Sequence, residues 1–162
     1  MNLIEDIAGE LCKILLPIEE EIFFGESASN IAICTLSSIN LLKDISHSNI
    51  IKEIAIAGRL LSENKGIDSL IRSVISNEKI NVIILCGKET IGHKSGDSLL
   101  CLYKNGIDED HKIIGSSSPH PILTVTKKQV SKFQKQVKII NKIGETDISN
   151  LKSIVESFKK IQ

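Results

Sequence analysis

Residues 81–105 read N-V-I-I-L-C-G-K-E-T-I-G-H-K-S-G-D-S-L-L-C-L-Y-K-N. The run Val82-Ile83-Ile84-Leu85-Cys86 is continuously apolar rather than alternating, the pattern of a strand buried on both faces. Gly87 stops it, and a short polar loop follows with Gly92 and His93. Leu99, Leu100, Leu102 and Tyr103 then recur at helical spacing. Strand, glycine-containing loop and helix make half of a βαβ unit, which predicts an α/β domain with a mostly parallel sheet flanked by helices. In open sheets of this kind ligands bind beyond the carboxyl ends of the strands, where His93 would stand.

The rest of the chain fits that rhythm. Ile31-Ala32-Ile33-Cys34-Thr35-Leu36 reads as a buried strand ending at the polar pair Ser37-Ser38, and Ile54-Ala55-Ile56-Ala57-Gly58 as a second. Residues 39–51 are ambiguous and read as partly helical. Ile67, Leu70, Ile71, Val74 and Ile75 form a helical stripe that stops near Asn77, long enough to cross between parallel strands. Asn105-Gly106 closes the helix after His93, with glycine where a left-handed cap residue is wanted. Beyond it, residues 107–111 form an acidic turn, Lys112-Ile113-Ile114-Gly115 a further short strand, and residues 116–121 an irregular loop. Thr126 caps a helix from Lys127 with Val130, Phe133 and Val137 inward, residues 137–143 form a last strand, and Asp147 caps a C-terminal helix. Ile22-Phe23-Phe24-Gly25 is a short anchor. The expected organisation is a single domain over 1–162, with an N-terminal amphipathic helix over 1–16, a core over 30–145 and the final helix over 147–162.

Composition excludes several classes. The 20 basic residues equal the 20 acidic ones, and no basic stripe with interleaved aromatics points to nucleic acid. The N-terminus lacks the basic head and apolar centre of a signal peptide, and no apolar run approaches the ~20 residues that span a bilayer. The expectation is a soluble, cytoplasmic protein. Its four cysteines, Cys12, Cys34, Cys86 and Cys101, show no C-x-x-C spacing and read as structural thiols of a reducing compartment.

His93 carries the chemistry. Between a buried strand and a helix start it lies near the positive end of a helix dipole, which favours neutral imidazole, a metal ligand or an electrophile. An exposed loop histidine with no role is the other reading. Gly92 and Gly96 would let a flat or bulky group approach the backbone, and Glu89 or Asp97 could orient the second ring nitrogen. His93-x-x-Gly96 also resembles part of the D-x-H-x-x-G motif of flavodoxin-like cobalamin domains, but Ile91 stands where the motif has Asp and no paired glycines follow downstream, which counts against a generic domain of that kind. Other candidates are plainer. His120 between Pro119 and Pro121 could be a second ligand or a rigid loop residue, His47 and His111 read as surface residues, and Asp108-Glu109-Asp110 lacks cation-loop spacing. Gly87-Lys88-Glu89 lacks the glycine pattern of a nucleotide loop.

Several blocks taken together resemble one family. Ile84-Leu85-Cys86-Gly87-Lys88-Glu89, Gly92-His93-Lys94-Ser95-Gly96-Asp97-Ser98-Leu99, Asn105-Gly106-Ile107-Asp108 and Ile113-Ile114-Gly115 are similar to the A subunit of tetrahydromethanopterin S-methyltransferase, which carries the corrinoid of a methanogen complex. Glu63-Asn64-Lys65-Gly66-Ile67 matches the family's E-N-x-G-I block, Thr35-Leu36-Ser37-Ser38 its T-L-G-S turn, and Phe133-Gln134 its F-Q-x-Q helix. The likeness covers most of residues 17–150.

The resemblance implies a Rossmann-like three-layer domain that binds a cobamide, with His93 as both the catalytic group and the axial ligand of cobalt. Leu36, Ser37, Gly87, Glu89, Gly92, Lys94, Gly96, Asp97, Ser98, Gly115 and Pro121 would form the corrinoid site. It further implies a methyl carrier, charged by a methyl-tetrahydromethanopterin-type donor and discharged to a thiol such as coenzyme M through partner subunits. In the family the transfer is coupled to sodium export. The family's chains usually end in a transmembrane helix that this sequence lacks, the loop Ser116-Ser117-Ser118-Pro119-His120-Pro121-Ile122 is more polar than the family's, and Ser37 replaces a turn glycine. A soluble relative is therefore expected; the alternative is a non-catalytic corrinoid-binding or sensing module of the same fold.

Overall fold

The computed structural model describes residues 22–159, so the N-terminal segment expected to be an amphipathic helix, with Cys12, lies outside the described residues. Five strands form one sheet: β1 (Ile22–Phe24), β2 (Ile31–Cys34), β3 (Ile56–Gly58), β4 (Val82–Gly87) and β5 (Lys138–Ile143), in the order β1-β3-β2-β4-β5. All neighbours are parallel except β1, which runs antiparallel along the edge of β3. The helices are α1 (Ile39–His47), α2 (Lys65–Ser76), α3 (Ser95–Asn105), α4 (Lys127–Gln136) and α5 (Ile148–Lys159), with a 3-10 turn at Asn49–Lys52 after α1.

Period-two geometry divides the strands between two cores. Ile83 and Leu85 of β4, with Ala32 and Cys34 of β2, face α2, α3 and α4 through Ile67, Ile71, Val74, Leu99, Leu102, Val130 and Phe133. Val82, Ile84 and Cys86, with Ile31 and Ile33, face α1 and α5 through Leu41, Leu42, Ile45, Leu151 and Val155. This is the three-layer α/β architecture expected, and burial on both faces explains the unbroken apolar run in β4.

Several details differ from the sequence reading. Ile22-Phe23-Phe24 is the antiparallel edge strand. Residues 112–115 form no named strand, only isolated bridges, Ile107 to Ile113 and Lys112 to Ile122, because β5 already takes the edge of β4. Gly106 closes α3 with φ +74° as expected, but its ψ of −152° is outside the left-handed helical well, in a region open essentially to glycine alone. Thr126 forms a full capping box with Gln129, and Asp147 Oδ1 accepts from Ser149 N at 2.8 Å at the start of α5.

The topology positions the site. β3 and β4 lie on opposite sides of β2, and the helices after β2 and β4 leave to opposite faces, so the carboxyl ends of β2 and β4 form the switch point of the sheet. The loops there are laced together. Ser37 N and Oγ both donate to Lys88 O, at 3.1 and 2.8 Å, and Lys88 N donates to Ser38 Oγ at 2.8 Å.

Candidate functional site

Glu89 organises the entry to α3. Its Oε1 accepts from Thr90 N at 2.8 Å and Gly96 N at 3.0 Å, and its Oε2 from Asp97 N at 2.9 Å. A carboxylate on the exposed N–H groups of the first turn satisfies both hydrogen bonding and the helix dipole. Below it, the hydroxyls of Thr90 and Ser95 lie 2.7 Å apart and within 3.0 and 2.8 Å of Leu60 O, so their two protons are shared among these three oxygens. The loop is thereby fixed at its base, and His93 and Lys94 form its outer turn, their N–H groups donating to Thr90 O at 3.2 and 2.9 Å.

The partner of His93 is not Glu89 or Asp97 but Glu63, 30 residues upstream, in the loop before α2. Nδ1 of His93 donates to Glu63 Oε2 at 2.8 Å; the glutamate side chain is 1% exposed, that of the histidine 53%. The N-terminus of α3 is already occupied by Glu89, so the charged group acting on the ring is this buried carboxylate. The other oxygen, Oε1, accepts from His120 N at 3.0 Å, while the adjacent Asn64 donates from Nδ2 to His120 O at 3.3 Å. The E-N pair thus clamps one peptide of the 116–121 loop and the ring of His93 together.

Three serines hold the other side of the turn. Ser118 Oγ donates to His93 O at 2.6 Å, and Ser98 Oγ lies 2.5 Å from Ser118 Oγ and 2.7 Å from Ser116 Oγ. Each hydroxyl has one proton. With that of Ser118 on His93 O, Ser98 donates to Ser118 and Ser116 to Ser98, a one-way relay of hydrogen bonds that ends on the His93 backbone. The serines in place of an apolar loop therefore have a structural use.

The sequence-derived set separates into two groups. Leu36, Gly87, Gly96, Ser98 and Pro121 are buried. Leu36, at φ +50°, and Gly96 pack against each other, where a Cβ on Gly96 would lie 3.0 Å from Leu36 Cδ1 and 2.9 Å from Glu89 Oε2. Ser37 is half-buried and bonded to the β4 loop. These residues shape the base. Gly92, Lys94, Asp97 and Gly115 are exposed around His93, with Glu89 half-buried between the two groups. Gly92, at φ +79°, has nothing within 4 Å of where a Cβ would be. Lys94 enters the helix at φ +47° and its Nζ reaches Ser117 Oγ at 3.4 Å. Leu36 and Lys94 are two of the three non-glycine residues with positive φ among those described, the third being His111. His111 is half-buried, not a surface residue, and its Nδ1 donates to Val125 O at 3.0 Å. Asp108 Oδ1 accepts from Asp110 N and Lys112 N, both at 2.9 Å, and so builds its turn from within.

Glu63 is the residue sequence reasoning did not assign to the site. A buried acid leaves no periodic trace, and the only signal was its membership of the E-N-x-G-I block. Cys34, Cys86 and Cys101 are free thiols; burial pushes Cys34 up to about 12 and raises Cys86 further, so neither supplies a nucleophile near neutrality. Among the described residues no group of three or more His, Cys, Asp or Glu side chains forms a metal cage.

Comparison with known proteins places the chain in a family. A family model described as the A subunit of tetrahydromethanopterin S-methyltransferase matches residues 15–161. The chain belongs to that family. The A subunit of the methyltransferase Mtx of Methanosarcina acetivorans is 35% identical over 144 residues, 88% of this chain and 69% of the relative. The tetrahydromethanopterin S-methyltransferase A subunit of Methanosphaera stadtmanae is 40% identical over 104 residues, 63% of this chain and 42% of the relative. The first A-type chain of the same enzyme in Methanothermobacter marburgensis is 37% identical over 134 residues, 82% and 54% of the two chains. The chain thus spans about two thirds of the Mtx-type relative and about half of the other two.

Membership in this family of methyltransferase subunits gives its sequence blocks a physical account. The E-N pair is the clamp on His93 and His120. The glutamines of the F-Q-x-Q block lie in α4: Gln134 Nε2 donates to Leu102 O and Tyr103 O, and Gln136 Nε2 to Val74 O, Asn77 O and Ile80 O. They tie off the ends of α3 and α2. Among the described residues no helix is long and apolar enough to cross a membrane.

Proposed function

We propose that the domain holds a cobamide over the loop of residues 89–98, with Nε2 of His93 as the axial ligand of cobalt, and that it serves as the methyl-carrying component of a methyltransferase. The observation that carries this reading is the state of His93: Nδ1 is fixed by a buried carboxylate and the rest of the ring is half open to solvent. Ligating histidines are built in this way, their second nitrogen oriented by a hydrogen bond. The surroundings fit the group. Gly92 offers open space beside the ring. Three of the five large apolar residues that are exposed among those described, Ile91, Ile114 and Ile122, lie on the His93 loop and on the segment between α3 and α4. A broad macrocycle would cover such residues. The positive φ values at Leu36 and Lys94 are strain of the kind that collects at functional sites.

When bound, the cobamide supplies a cobalt centre able to take up and release a methyl group. The chain's own contribution is positional. His93 would hold the cobalt, with Glu63 holding His93, and Gly92, Lys94, Asp97 and Gly115 would offer the exposed surface for the group, on a base made by Leu36, Ser37, Gly87, Glu89, Gly96, Ser98 and Pro121. The donor would be a methyl-tetrahydromethanopterin-type carrier and the acceptor a thiol such as coenzyme M, each brought by other subunits. The three free thiols accord with a cytoplasmic setting.

The test is the absorption spectrum of cobalamin mixed with wild-type protein and with His93→Ala. The wild type is expected to give the spectrum of imidazole-ligated cobalamin and the variant to lose it. Identical spectra would rule out His93 as the ligand.

A further inference from the structure

The sheet is covered unequally at its β1 edge. Ile22 pairs with Gly58 and Phe24 with Ile56, and Ile56 and Gly58 pair in turn with Ala32 and Cys34, so these residues share the face that α2 covers further in. Phe23 and Ala57 point the other way, into the core under α1, where Ala57 is fully buried. On the α2 side the same two strands are bare. Phe24 is 78% exposed and Ile22 50%, two of the five large apolar residues exposed among those described. A groove of about 400 Å³ lies between this bare face and α2. Its α2 wall carries the small residues Gly66, Ser69, Ser73 and Ser76, spaced i, i+3, i+7 and i+10 along one side of the helix. Small residues at such a contact let a second helix approach closely.

We infer that the chain's own N-terminal segment, residues 2–16, docks in this groove as an amphipathic helix beside α2. The inference is independent of the corrinoid reading.

The tether selects this occupant. Residues 1–21 lead directly into Ile22, which is itself part of the groove wall. Residues 17–21 span at most about 17 Å, so the segment stays close to the β1 edge. Of the two faces within reach, the one under α1 is already filled. The pattern matches as well. Leu3, Ile4, Ile7, Leu11, Ile14 and Leu15 fall on one side of a helix that Pro17 would end. Such a helix over 2–16 is about 22 Å long, against about 18 Å for the 12 residues of α2. Direction fits too. Because β1 starts beside Gly58, at the carboxyl end of β3, a helix that feeds β1 through a short connection runs antiparallel to α2, with their dipoles opposed. A tethered segment also acts at an effective concentration of about millimolar, which a second copy at micromolar concentration does not match. The family match begins at residue 15, so nearly all of this segment lies outside it.

The experiment uses the full chain, labelled with nitrogen-15, with Cys101→Ser so that a spin label goes to Cys12 while Cys34 and Cys86 stay buried. Cys12 flanks the apolar side of the segment, which leaves that side free to dock. The amide signals of Ile56, Ser69 and Ser73 are expected to lose most of their intensity, and those of Leu41 and Ile45 in α1, on the opposite face, to keep it. Equal loss on both faces, or no loss along α2, overturns the inference. Ile7→Asp with Leu11→Asp in the same labelled chain is expected to restore the signals of Ile56 and Ser69, with Leu151 and Val155 unshifted as the sign of an intact fold. Ser73→Arg, which fills the groove from its exposed α2 side, is expected to restore the same two signals. Broadening that survives both changes overturns the inference. Spin-labelled chain without nitrogen-15 is finally mixed with unlabelled nitrogen-15 chain: no broadening is expected, and broadening of Ser69 and Ser73 in the mixture assigns the groove to a second copy and overturns the inference.

Discussion

Gly87 and Gly92 offer a controlled comparison, because both have φ close to +78° and only one is crowded. An alanine at either position meets the backbone cost of a left-handed conformation, about 1–2 kcal/mol, partly offset by the loss of unfolded-state freedom. At Gly92 nothing else is encountered within 4 Å. At Gly87 a Cβ would come within 2.9 Å of Ser38 Oγ and closer still to the Thr35 carbonyl oxygen, which is backbone and cannot swing aside. Relief requires β4 to move away from the end of β2. Gly87 is itself held by Gly87 N to Glu145 O at 2.7 Å and Gly144 N to Gly87 O at 2.8 Å, so the movement strains two further hydrogen bonds. Overpacking of this kind adds about 1–3 kcal/mol. The expected losses are then about 1 kcal/mol for Gly92→Ala and about 2–4 kcal/mol for Gly87→Ala. Urea unfolding followed by circular dichroism measures both; for a slope of about 2 kcal/mol per molar, the two midpoints should differ by roughly 0.5–1.5 M. Midpoints that coincide would refute the reading of Gly87 as the close-approach residue of the switch point and return it to the ligand surface.

Further outcomes follow from buried polar groups and thiols. Asp68, buried at the start of α2, accepts from Thr124 N, Thr124 Oγ1 and Val125 N within 3.0 Å, so Asp68→Ala should cost about 2–4 kcal/mol in urea unfolding and Asp68→Asn less. Cys34 and Cys86 should resist iodoacetamide in the native protein while Cys101 reacts, as read by mass spectrometry in a Cys12→Ser background. Burial raises the buried thiols above their ordinary value of 9.0, Cys34 to about 12, so their contribution to stability is complete below pH 9 and is lost as the pH rises toward the folded values. The loss approaches about 1.4 kcal/mol per pH unit for each thiol, and Cys34→Ala should flatten the alkaline limb of a stability profile.

How much was legible in the sequence varies with the kind of signal. The unbroken run of β4, the stripe Ile67, Ile71, Val74 of α2 and the capping residues Thr126 and Asp147 are local patterns, and each formed the element it predicted. Residues 112–115 read as a strand because β-branched residues suit extended chain, but whether extended chain joins a sheet depends on an open edge, and β5 had taken it. His93 could be singled out from its place between a buried strand and a helix. Its partner could not, since Glu89 and Asp97 were near in sequence and each had other work or none with the ring.

The sequence by itself determined the layers, the parallel sheet, the loop that bears His93 and, through blocks in a common order, the family. Those depend on periodicity, turn chemistry and local composition, which a chain carries whether or not it is folded. Only the tertiary structure decided which carboxylate meets His93, and that Leu36, Gly87 and Gly96 are buried beneath the His93 loop rather than exposed around it. A hydrogen bond between residues 63 and 93, or a Cβ that would strike the carbonyl of Thr35, exists only once the sheet has brought β2, β4 and the loop before α2 to one end.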